Sequence, residues 1–501
     1  MPKTAMNHRE FPLRIVLAAF LAFTFVLESG CGGSAAAPKK TGGAESKPRE
    51  PLRVLVVDDP ALSQAIEKDW QARSETPVEM KNITAEKIAS AKRLPADLIV
   101  FPAGLLGQLA QNNLISPLGD EIVNGEPFAR QDILEQIRKY EMNWGTKAYA
   151  VPLGSPQFTL LYRADIFAKL KVQPPVSWAE YQALLVKLQD TTAFADLAPQ
   201  AGDPWRATVE PLAPGWAGQL LLARSAAYAA HPQRLSVIFD LQTMQPLIDS
   251  PPFVRALEEL CAANKLPSAK VTQENLTTLT PAGARKEILA GRCGMALSWP
   301  TASLDPNAGT AEKTRGIAIG YAEAPGSPDL FDAAEQKWTV RKAGQEQRVS
   351  LGLISGRMAA VTTSANAPKE AENMLVWLAS AESSERTATR SESATLFRVT
   401  QAANPQVWLP EGASASAAAQ YAQAVRDAQF RSIYVQSPRI PGRDQYLAAL
   451  DEAVQAAVQG KSSPRDALTA AAEKWSAITK SHGPQNQRQA LERSLGIGAG
   501  R

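Results

Sequence analysis

Hydrophobic residues in the first part of the chain form short compact runs, each followed by helical spacing. The runs Leu52–Val57 and 96–102 are rich in β-forming residues. Alternation of strand and helix predicts a parallel sheet covered by helices, with ligands off the carboxyl ends of the strands. Asp58, Asp59 and Phe101 stand at those ends, so we expect this edge to face a ligand.

A break in the pattern at residues 149–167 organises the rest of the chain. An apolar run at 151–153 is closed by Gly154, and a second run rich in β-formers covers residues 158–162. Two strand-like segments therefore meet at a Gly-Ser-Pro break, which we interpret as a hinge. Ser177 followed by Glu180 is a capping box that predicts the start of an amphipathic helix.

Beyond the break, helical spacing recurs between residues 218 and 290, and an apolar strand follows at 294–297. Pro300 ends strand pairing just past Trp299. We therefore expect the indole of Trp299 at a strand terminus, where a cleft is expected, and not in the middle of a sheet.

Composition changes this picture little. The chain has 501 residues, of which 45% are hydrophobic and 21% charged, as is ordinary for a soluble protein large enough for two domains. Its formal net charge of +3 is too small to indicate a nucleic-acid partner. We therefore exclude nucleic acid as a partner.

The N-terminus departs from globular composition. Basic residues precede an apolar run at 15–27, as is typical of a secretory signal, and we predict a signal peptide over residues 1–30. The run is shorter than the roughly 20 residues that a membrane-spanning helix needs. The mature protein is therefore expected to be exported, to the periplasm or the cell surface.

The residues after the signal indicate an anchor. Cys31 stands in a sequence that resembles a lipobox, although Glu28 occupies the place of an apolar residue, and we predict lipidation of Cys31 against the alternative of an ordinary cleaved signal. Residues 31–51 are rich in Pro, Gly, Ser and charge and cannot bury a core, so we predict a disordered tether between the membrane and the folded body.

The exported chain lacks the side-chain sets of common hydrolases. Only His231 and His482 remain, and no His-x-x-x-His or Cys-x-x-Cys spacing occurs. Asp58 and Asp59 are neighbours on a strand and point to opposite faces, so they cannot flank one glycosidic bond. We predict a protein that is not an enzyme and that uses no cofactor or metal.

Two cysteines leave alternatives open. An oxidising compartment permits a disulfide between Cys261 and Cys293. Cys261 lies on the apolar face of a predicted helix, however, and Cys293 opens a predicted strand. Two separate buried thiols are therefore the preferred interpretation.

Several motifs in order resemble one family. "Y-x-V-P", "S-P-Q-F-x-L-x-Y-R-x-D-I-F" and "P-P-x-S-W-x-E-Y" succeed one another from Tyr149, and GRCGMALSWP from Gly291 is similar to "G-x-x-A-M-x-x-x-x-P". This succession resembles the bacterial extracellular solute-binding proteins of family 1, which include the maltose-binding protein. The resemblance implies a two-lobed periplasmic-binding-protein fold of type II, an α/β fold in which each lobe is a mostly parallel sheet flanked by helices.

The resemblance also implies how the chain divides between lobes, with hinge crossovers at the divisions. The first lobe takes residues 52–154 and 351–398, and the second lobe takes residues 155–350 and 399–501. In the family the ligand lies beneath the first crossover.

The resemblance implies a small solute, and we predict a carbohydrate, because aromatic rings would stack on its apolar faces. The loop aromatics that suit this role are Phe101, Trp205, Trp216, Trp299 and Trp338, and packing within a lobe is the equal alternative for each tryptophan. The ligand-binding residues that we predict are Asp59, Phe101, Ser155, Gln157, Trp216, Trp299, Arg439 and Tyr446.

The chain departs from maltose-binding proteins at two places, with Ala103-Gly104 in place of an Asp-Arg pair and Pro156 in place of a crossover Glu. Arg439 and Arg443 could reach an acidic group on a ligand or bridge carboxylates on the second lobe, and the second role is favoured. The resemblance implies a monomeric partner of an ABC permease. The alternative is a sensor or cell-surface interaction lipoprotein with the same fold.

Overall fold

The computed structural model describes residues 50–199, 204–231, 234–265, 276–302 and 317–497. The predicted signal, Cys31 and most of the predicted tether lie outside the described residues. The strands of the described chain are β1 (Leu52–Val57), β2 (Val78–Ile83), β3 (Leu98–Pro102), β4 (Asn143–Trp144), β5 (Lys147–Ala148), β6 (Val151–Gly154), β7 (Thr159–Arg163), β8 (Arg206–Val209), β9 (Cys293–Ser298), β10 (Ile319–Glu323), β11 (Asp329–Asp332), β12 (Lys337–Val340), β13 (Ser350–Gly352), β14 (Arg357–Val361) and β15 (Tyr434–Gln436).

Helices cover and connect these strands. The α-helices of the described chain are α1 (Pro60–Arg73), α2 (Ala85–Ala89), α3 (Leu106–Gln111), α4 (Asp120–Val123), α5 (Ala164–Leu170), α6 (Trp178–Gln189), α7 (Ala217–Ala229), α8 (Pro251–Lys265), α9 (Pro281–Leu289), α10 (Pro368–Leu378), α11 (Ala381–Ala388), α12 (Ala415–Gln429), α13 (Arg443–Val458), α14 (Pro464–His482) and α15 (Pro484–Ser494). A π-helix covers Ile137–Glu141, and short 3₁₀ helices cover Ala103–Leu105, Arg130–Asp132, Thr191–Phe194, Thr400–Ala403 and Pro405–Trp408.

Two sheets define two lobes. The first sheet has the order β2-β1-β3-β14-β6, and the second has the order β10-β7-β9-β8. The first sheet ends along the chain at Gly154, and the second begins at Thr159. The interpreted break therefore coincides with the first connection between the lobes.

Both sheets are mixed, which corrects the expectation of mostly parallel sheets. In the first sheet β1 runs parallel to β2 and β3, whereas β14 runs antiparallel to β3 and β6. In the second sheet β8 and β9 are parallel, but β7 is antiparallel to both β9 and β10. The reason is that β7 and β14 each begin at a connection between the lobes, at the edge where their neighbours end.

Side-chain caps fix where two of the helices begin. The Asp59 carboxylate accepts a hydrogen bond from the backbone N–H of Leu62 at 3.0 Å, and so caps α1. At α6 the Ser177 half of the predicted capping box forms, because Ser177 Oγ accepts from the N–H of Glu180 at 3.2 Å. The Glu180 carboxylate in turn accepts from the N–H of Val176 at 2.7 Å.

The two cysteines of the body are separate. Cys261 and Cys293 are free and buried, which confirms the preferred interpretation of two thiols. Burial raises the pKa of the Cys261 thiol to about 11, so the reactive thiolate is disfavoured there.

In the described part of the chain, no helix is long and apolar enough to cross a membrane, and no cluster of three or more His, Cys, Asp or Glu side chains suits a metal ion.

Three connecting segments pass close together between the lobes. The first contains Gly154 and Ser155, the second contains β13 and Gly356, and the third contains Thr395. A Cβ atom at Gly154 would lie 2.2 Å from the backbone oxygen of Ser393, and one at Gly356 would lie 2.4 Å from the oxygen of Gly154. Only glycine permits this close approach of the backbones.

Candidate functional site

Three of the predicted residues line one recess beside the first connection. Ser155, Gln157 and Trp299 border it, together with Leu396 of the third connection and Tyr421 of α12. The cavity volume of the recess is only about 10 Å³, which is about enough for one water molecule. This is far less than the roughly 300–1,000 Å³ of a typical ligand pocket, so the lobes lie close together in the described arrangement.

Gln157 supplies a free hydrogen-bond donor at this recess. Its Nε2 atom is buried and has no hydrogen-bond partner within the described residues. The hydroxyl of Ser155, by contrast, donates to Glu141 Oε1 at 2.9 Å. A buried donor without a partner is costly, so Gln157 is the better placed of the two to hydrogen-bond a ligand.

An aromatic cluster forms the wall of the second lobe. The rings of Trp216 and Trp299 have centroids 5.5 Å apart, and Phe158 lies 6.4 Å from Trp299. Trp299 is only 1% exposed, and its Nε1 donates to the backbone oxygen of Glu392 at 2.8 Å. Trp216, which immediately precedes α7, is half-buried.

Charged residues form the wall of the first lobe. Asp59 follows β1 and Arg357 begins β14, two strands that flank β3, and 3.4 Å separates Asp59 Oδ2 from Arg357 Nε. Ser391 Oγ donates to the same carboxylate oxygen at 2.6 Å. Burial lowers the pKa of Arg357, and the carboxylates of Asp59 and Asp58 partly offset this effect.

The third connection links this wall to the aromatic cluster. Glu392 follows Ser391, and its carboxylate accepts from Arg285 Nη2 of α9 at 2.6 Å. Arg285 Nη1 also donates to the backbone oxygen of Trp299 at 3.1 Å. Arg285 is nearly enclosed, with 9% of its side chain exposed, whereas 48% of the Glu392 side chain is exposed.

Sequence reasoning missed Arg357, Arg285 and Glu392. Each lies outside the quoted motifs, and the contacts are distant in the chain, because Arg357 reaches Asp59 across 298 positions and Arg285 reaches Glu392 across 107. Arg357 is the first residue of β14, the strand that returns to the first sheet. This position indicates a site residue only once the register of β14 on β3 is known.

Three other predicted residues are enclosed by protein. Phe101 is 0% exposed within the first lobe, and Tyr446 is 0% exposed with its hydroxyl 2.8 Å from Thr479 Oγ1. Arg439 is 1% exposed, and its Nε donates to Ser494 Oγ at 3.1 Å. In the described arrangement none of the three borders the recess beside the first connection.

Arg443 approaches the position where maltose-binding proteins carry an Asp-Arg pair. A Cβ atom at Gly104 would lie 2.3 Å from Arg443 Nε, so the guanidinium group lies against the Gly104 backbone. Arg443 Nη1 also pairs with Asp444 at 2.7 Å. This ion pair joins Arg443 to a single carboxylate on its own helix, so the bridging of several carboxylates stays a prediction. Among the described residues, the polar partners of the Arg439 guanidinium are Ser494 and the Glu141 backbone, and none of them is a carboxylate.

The remaining loop aromatics pack on their own lobe. Trp205 donates from Nε1 to the backbone oxygen of Leu188 at 2.8 Å. Trp338 lies on the β11–β12 hairpin, where its ring meets Tyr228 at 5.9 Å between centroids, and 39% of it is exposed. Neither ring lines the recess between the lobes.

Comparisons with known proteins agree with this architecture. Maltose-bound MalE3 of T. maritima is 16% identical, covers 85% of this chain and 100% of its own, and superposes with a TM-score of 0.61. A ribitol-bound ABC transporter solute-binding protein of Agrobacterium radiobacter is 16% identical, with coverage of 86% and 98% and a TM-score of 0.62. The sugar-binding protein MalE of Xanthomonas citri is 14% identical, with the same coverages and TM-score.

At these identities the structural likeness establishes the fold alone, which is the predicted two-lobed periplasmic-binding-protein fold of type II. A search of curated proteins finds no match. The family model of bacterial extracellular solute-binding proteins matches residues 61–385, which is more than half of the chain. With its two lobes, three connections and aromatic cleft wall, the chain belongs to the bacterial extracellular solute-binding proteins.

Proposed function

We propose that this protein binds a neutral carbohydrate or polyol between its two lobes and delivers it to an ABC permease. The observation that carries the proposal is that Ser391 and Glu392 join a polar wall at Asp59 to an aromatic wall at Trp299 and Trp216. Aromatic rings bind the apolar faces of sugars, while planar polar groups exchange hydrogen bonds with hydroxyls.

The charges at the cleft support a neutral ligand. Asp59 and Glu392 are matched by Arg357 and Arg285, each acid within 3.4 Å of one arginine. A hydroxyl group both donates and accepts hydrogen bonds, so it can bind to the acid and the arginine of such a pair without adding a net charge. A carboxylate or phosphate on the ligand would leave its charge without a free cationic partner at these two pairs.

The roles within the cleft follow from exposure. Trp216 would stack on the ligand, and Trp299 would support that ring and reach the ligand as the lobes open. Gln157 would hydrogen-bond a hydroxyl through its unpartnered Nε2. Asp59 would contribute its carboxylate beside Arg357. Phe101, Ser155, Arg439 and Tyr446, which were predicted as ligand contacts, are better suited in this arrangement to supporting the cleft from behind.

Solved proteins of the same fold hold ligands of this class. The T. maritima protein holds maltose, the Agrobacterium radiobacter protein holds ribitol, and a protein of Agrobacterium vitis holds D-mannitol. These are neutral polyhydroxylated molecules of different size, so they support the class of ligand and not its identity.

The proposal includes export and a lipid anchor. Cys31 follows the predicted signal peptide, and acyl chains on its sulfur would hold the body on a membrane through residues 31–51.

A monomer suffices for binding, because a single chain supplies both walls of the cleft. Binding alone needs no catalytic group, so we propose no enzymatic activity.

The test is to identify the solute without choosing it beforehand. Protein purified under native conditions is denatured, and mass spectrometry of the released small molecules should find a neutral sugar or polyol. In parallel, maltose, ribitol and D-mannitol are screened by thermal unfolding, with glucuronate as the anionic control. A ligand at about 100 times its Kd should add about 2.7 kcal/mol to the free energy of unfolding. Stabilisation by glucuronate alone would contradict the proposal.

A further inference from the structure

Glu141 places a buried carboxyl group beside the connections between the lobes. It ends the π-helix Ile137–Glu141 of the first lobe, and its side chain is 0% exposed. Its Oε1 atom accepts a hydrogen bond from Ser155 Oγ at 2.9 Å and another from the Tyr434 hydroxyl. Ser155 belongs to the first connection, and Tyr434 begins β15.

The second connection lies against the same group, and the third connection bonds to Ser155, one of its donors. A Cβ atom at Gly352, in the second connection, would lie 2.9 Å from Glu141 Oε1. Gly352 belongs to β13, which pairs in parallel with β15. In the third connection, Thr395 Oγ1 accepts from the backbone N–H of Ser155 at 3.0 Å. One carboxyl oxygen is therefore held by side chains from separate segments that change relative position when a hinge bends.

The remaining surroundings of Glu141 hold few charges. Arg439, in the loop after β15, donates to the Glu141 backbone oxygen at 3.1 Å, and Tyr140 on the same π-helix stacks on Tyr434 at 5.7 Å between centroids. Burial raises the pKa of Glu141, while the bonds from Tyr434 and Ser155 and the charge of Arg439 lower it. Within the described residues, Glu141 Oε2 has no hydrogen-bond partner.

We propose that Glu141 is a positioning residue that links proton binding to bending of the hinge. The inference rests on the proposed function in one respect, namely that the two lobes open and close. Bending that moves Ser155 or Tyr434 away removes a donor from a carboxylate that stays enclosed by protein. A buried carboxylate that loses such a bond takes up a proton more readily.

The direction of the pH effect follows from this difference. The described arrangement keeps both donors on Glu141, so it binds the proton less tightly than the bent arrangement does. The state that binds fewer protons gains population as pH rises. Raising the pH should therefore favour the described arrangement, and lowering it should favour the open one, by up to about tenfold in the equilibrium constant per pH unit between the two pKa values.

The experiment is small-angle X-ray scattering of the solute-free protein from about pH 5 to about pH 9. Wild type should show a radius of gyration that falls as pH rises. Glu141→Gln keeps an acceptor oxygen for Ser155 and Tyr434 but cannot titrate, so its radius should not change with pH. Glu411→Gln, the same change at an exposed residue, should behave as wild type. A flat wild-type curve, a rising one, or a pH dependence that survives in Glu141→Gln would overturn the proposal.

A second variant keeps the test decisive if Glu141→Gln does not fold. Tyr434→Phe removes one donor from the described arrangement and retains the carboxyl group. It should move the midpoint of the scattering transition to higher pH, and an unmoved midpoint would contradict the linkage. No solute is present in these measurements. Failure to bind any carbohydrate would thus contradict the proposed function alone, whereas pH-independent bending would contradict this inference alone.

Discussion

The guanidinium group of Arg53 donates two hydrogen bonds to the carboxylate of Asp97, from Nε to Oδ2 at 3.1 Å and from Nη2 to Oδ1 at 2.8 Å. Asp97 Oδ2 also accepts from the Arg53 backbone N–H, and Oδ1 accepts from that of Asn366 at 2.6 Å. The pair ties β1 to the start of β3 and to the turn after β14. Burial of Asp97 raises its pKa, but these bonds outweigh burial and leave the pKa at about 2.

This pair should make the first lobe sensitive to acid. The folded-state pKa of Asp97 lies below its ordinary value of 3.8, so its stabilisation is present above about pH 4 and is lost as pH falls towards 2. The shift corresponds to about 2 kcal/mol at neutral pH. Asp97→Asn should lose about that much free energy of unfolding at pH 7 and should flatten the decline between pH 4 and pH 2. Denaturant unfolding over this range tests it, with Glu411→Gln as the exposed control. An unchanged free energy at pH 7 would count against the structural role of the pair.

Substitution of Trp299 should mainly lower the stability of the fold, whereas substitution of Trp216 should mainly weaken ligand binding. Trp299 is enclosed, so Trp299→Ala should cost about 3–5 kcal/mol of folding free energy. Trp216 is half-buried, and Trp216→Ala should cost less stability but weaken binding by roughly ten- to a hundredfold, equal to about 1–3 kcal/mol. Calorimetric titration with the best solute of the screen, beside thermal unfolding, measures both. Full affinity in a Trp216→Ala protein would remove this ring from the site.

Gly356 should be intolerant of any side chain. Its φ is +104°, and a Cβ atom would lie 2.4 Å from the backbone oxygen of Gly154. Gly412 also has a positive φ, +85°, but a Cβ atom there meets nothing within 4 Å. Gly412→Ala should therefore cost only the backbone term of about 1–2 kcal/mol, and Gly356→Ala should cost clearly more. Equal losses in equilibrium unfolding would show that the connections can move apart freely.

Membrane retention should depend on Cys31. Cys31→Ser expressed in the native host should appear in the soluble fraction, because the proposed acyl anchor has lost its sulfur. Cys261→Ala serves as the control, since it removes a buried cysteine of the folded body and should leave the protein with the membranes. Fractionation followed by immunoblotting distinguishes the two. If wild type is already soluble, the ordinary cleaved signal is the correct reading.

Interactions between near neighbours in the chain were readable from the sequence. The strand β1, the caps at Asp59 and Ser177 and the break between Gly154 and Thr159 each depend on residues within a few positions of one another. The order of several such signals also indicated the family, which the match over residues 61–385 confirms. Backbone geometry and local hydrogen bonding decide these features, so no distant partner is needed to predict them.

Only the tertiary structure decided what the cleft is made of. Arg357 and Asp59 are separated by 298 positions but meet because β14 returns to the first sheet beside β3. Because β14 runs antiparallel to β3, its return also makes the sheet mixed. Likewise, Phe101 and Tyr446 are sequence-plausible contacts that packing encloses. Burial and long-range pairing depend on which elements close over a residue, a property of the assembled lobes that no local pattern contains.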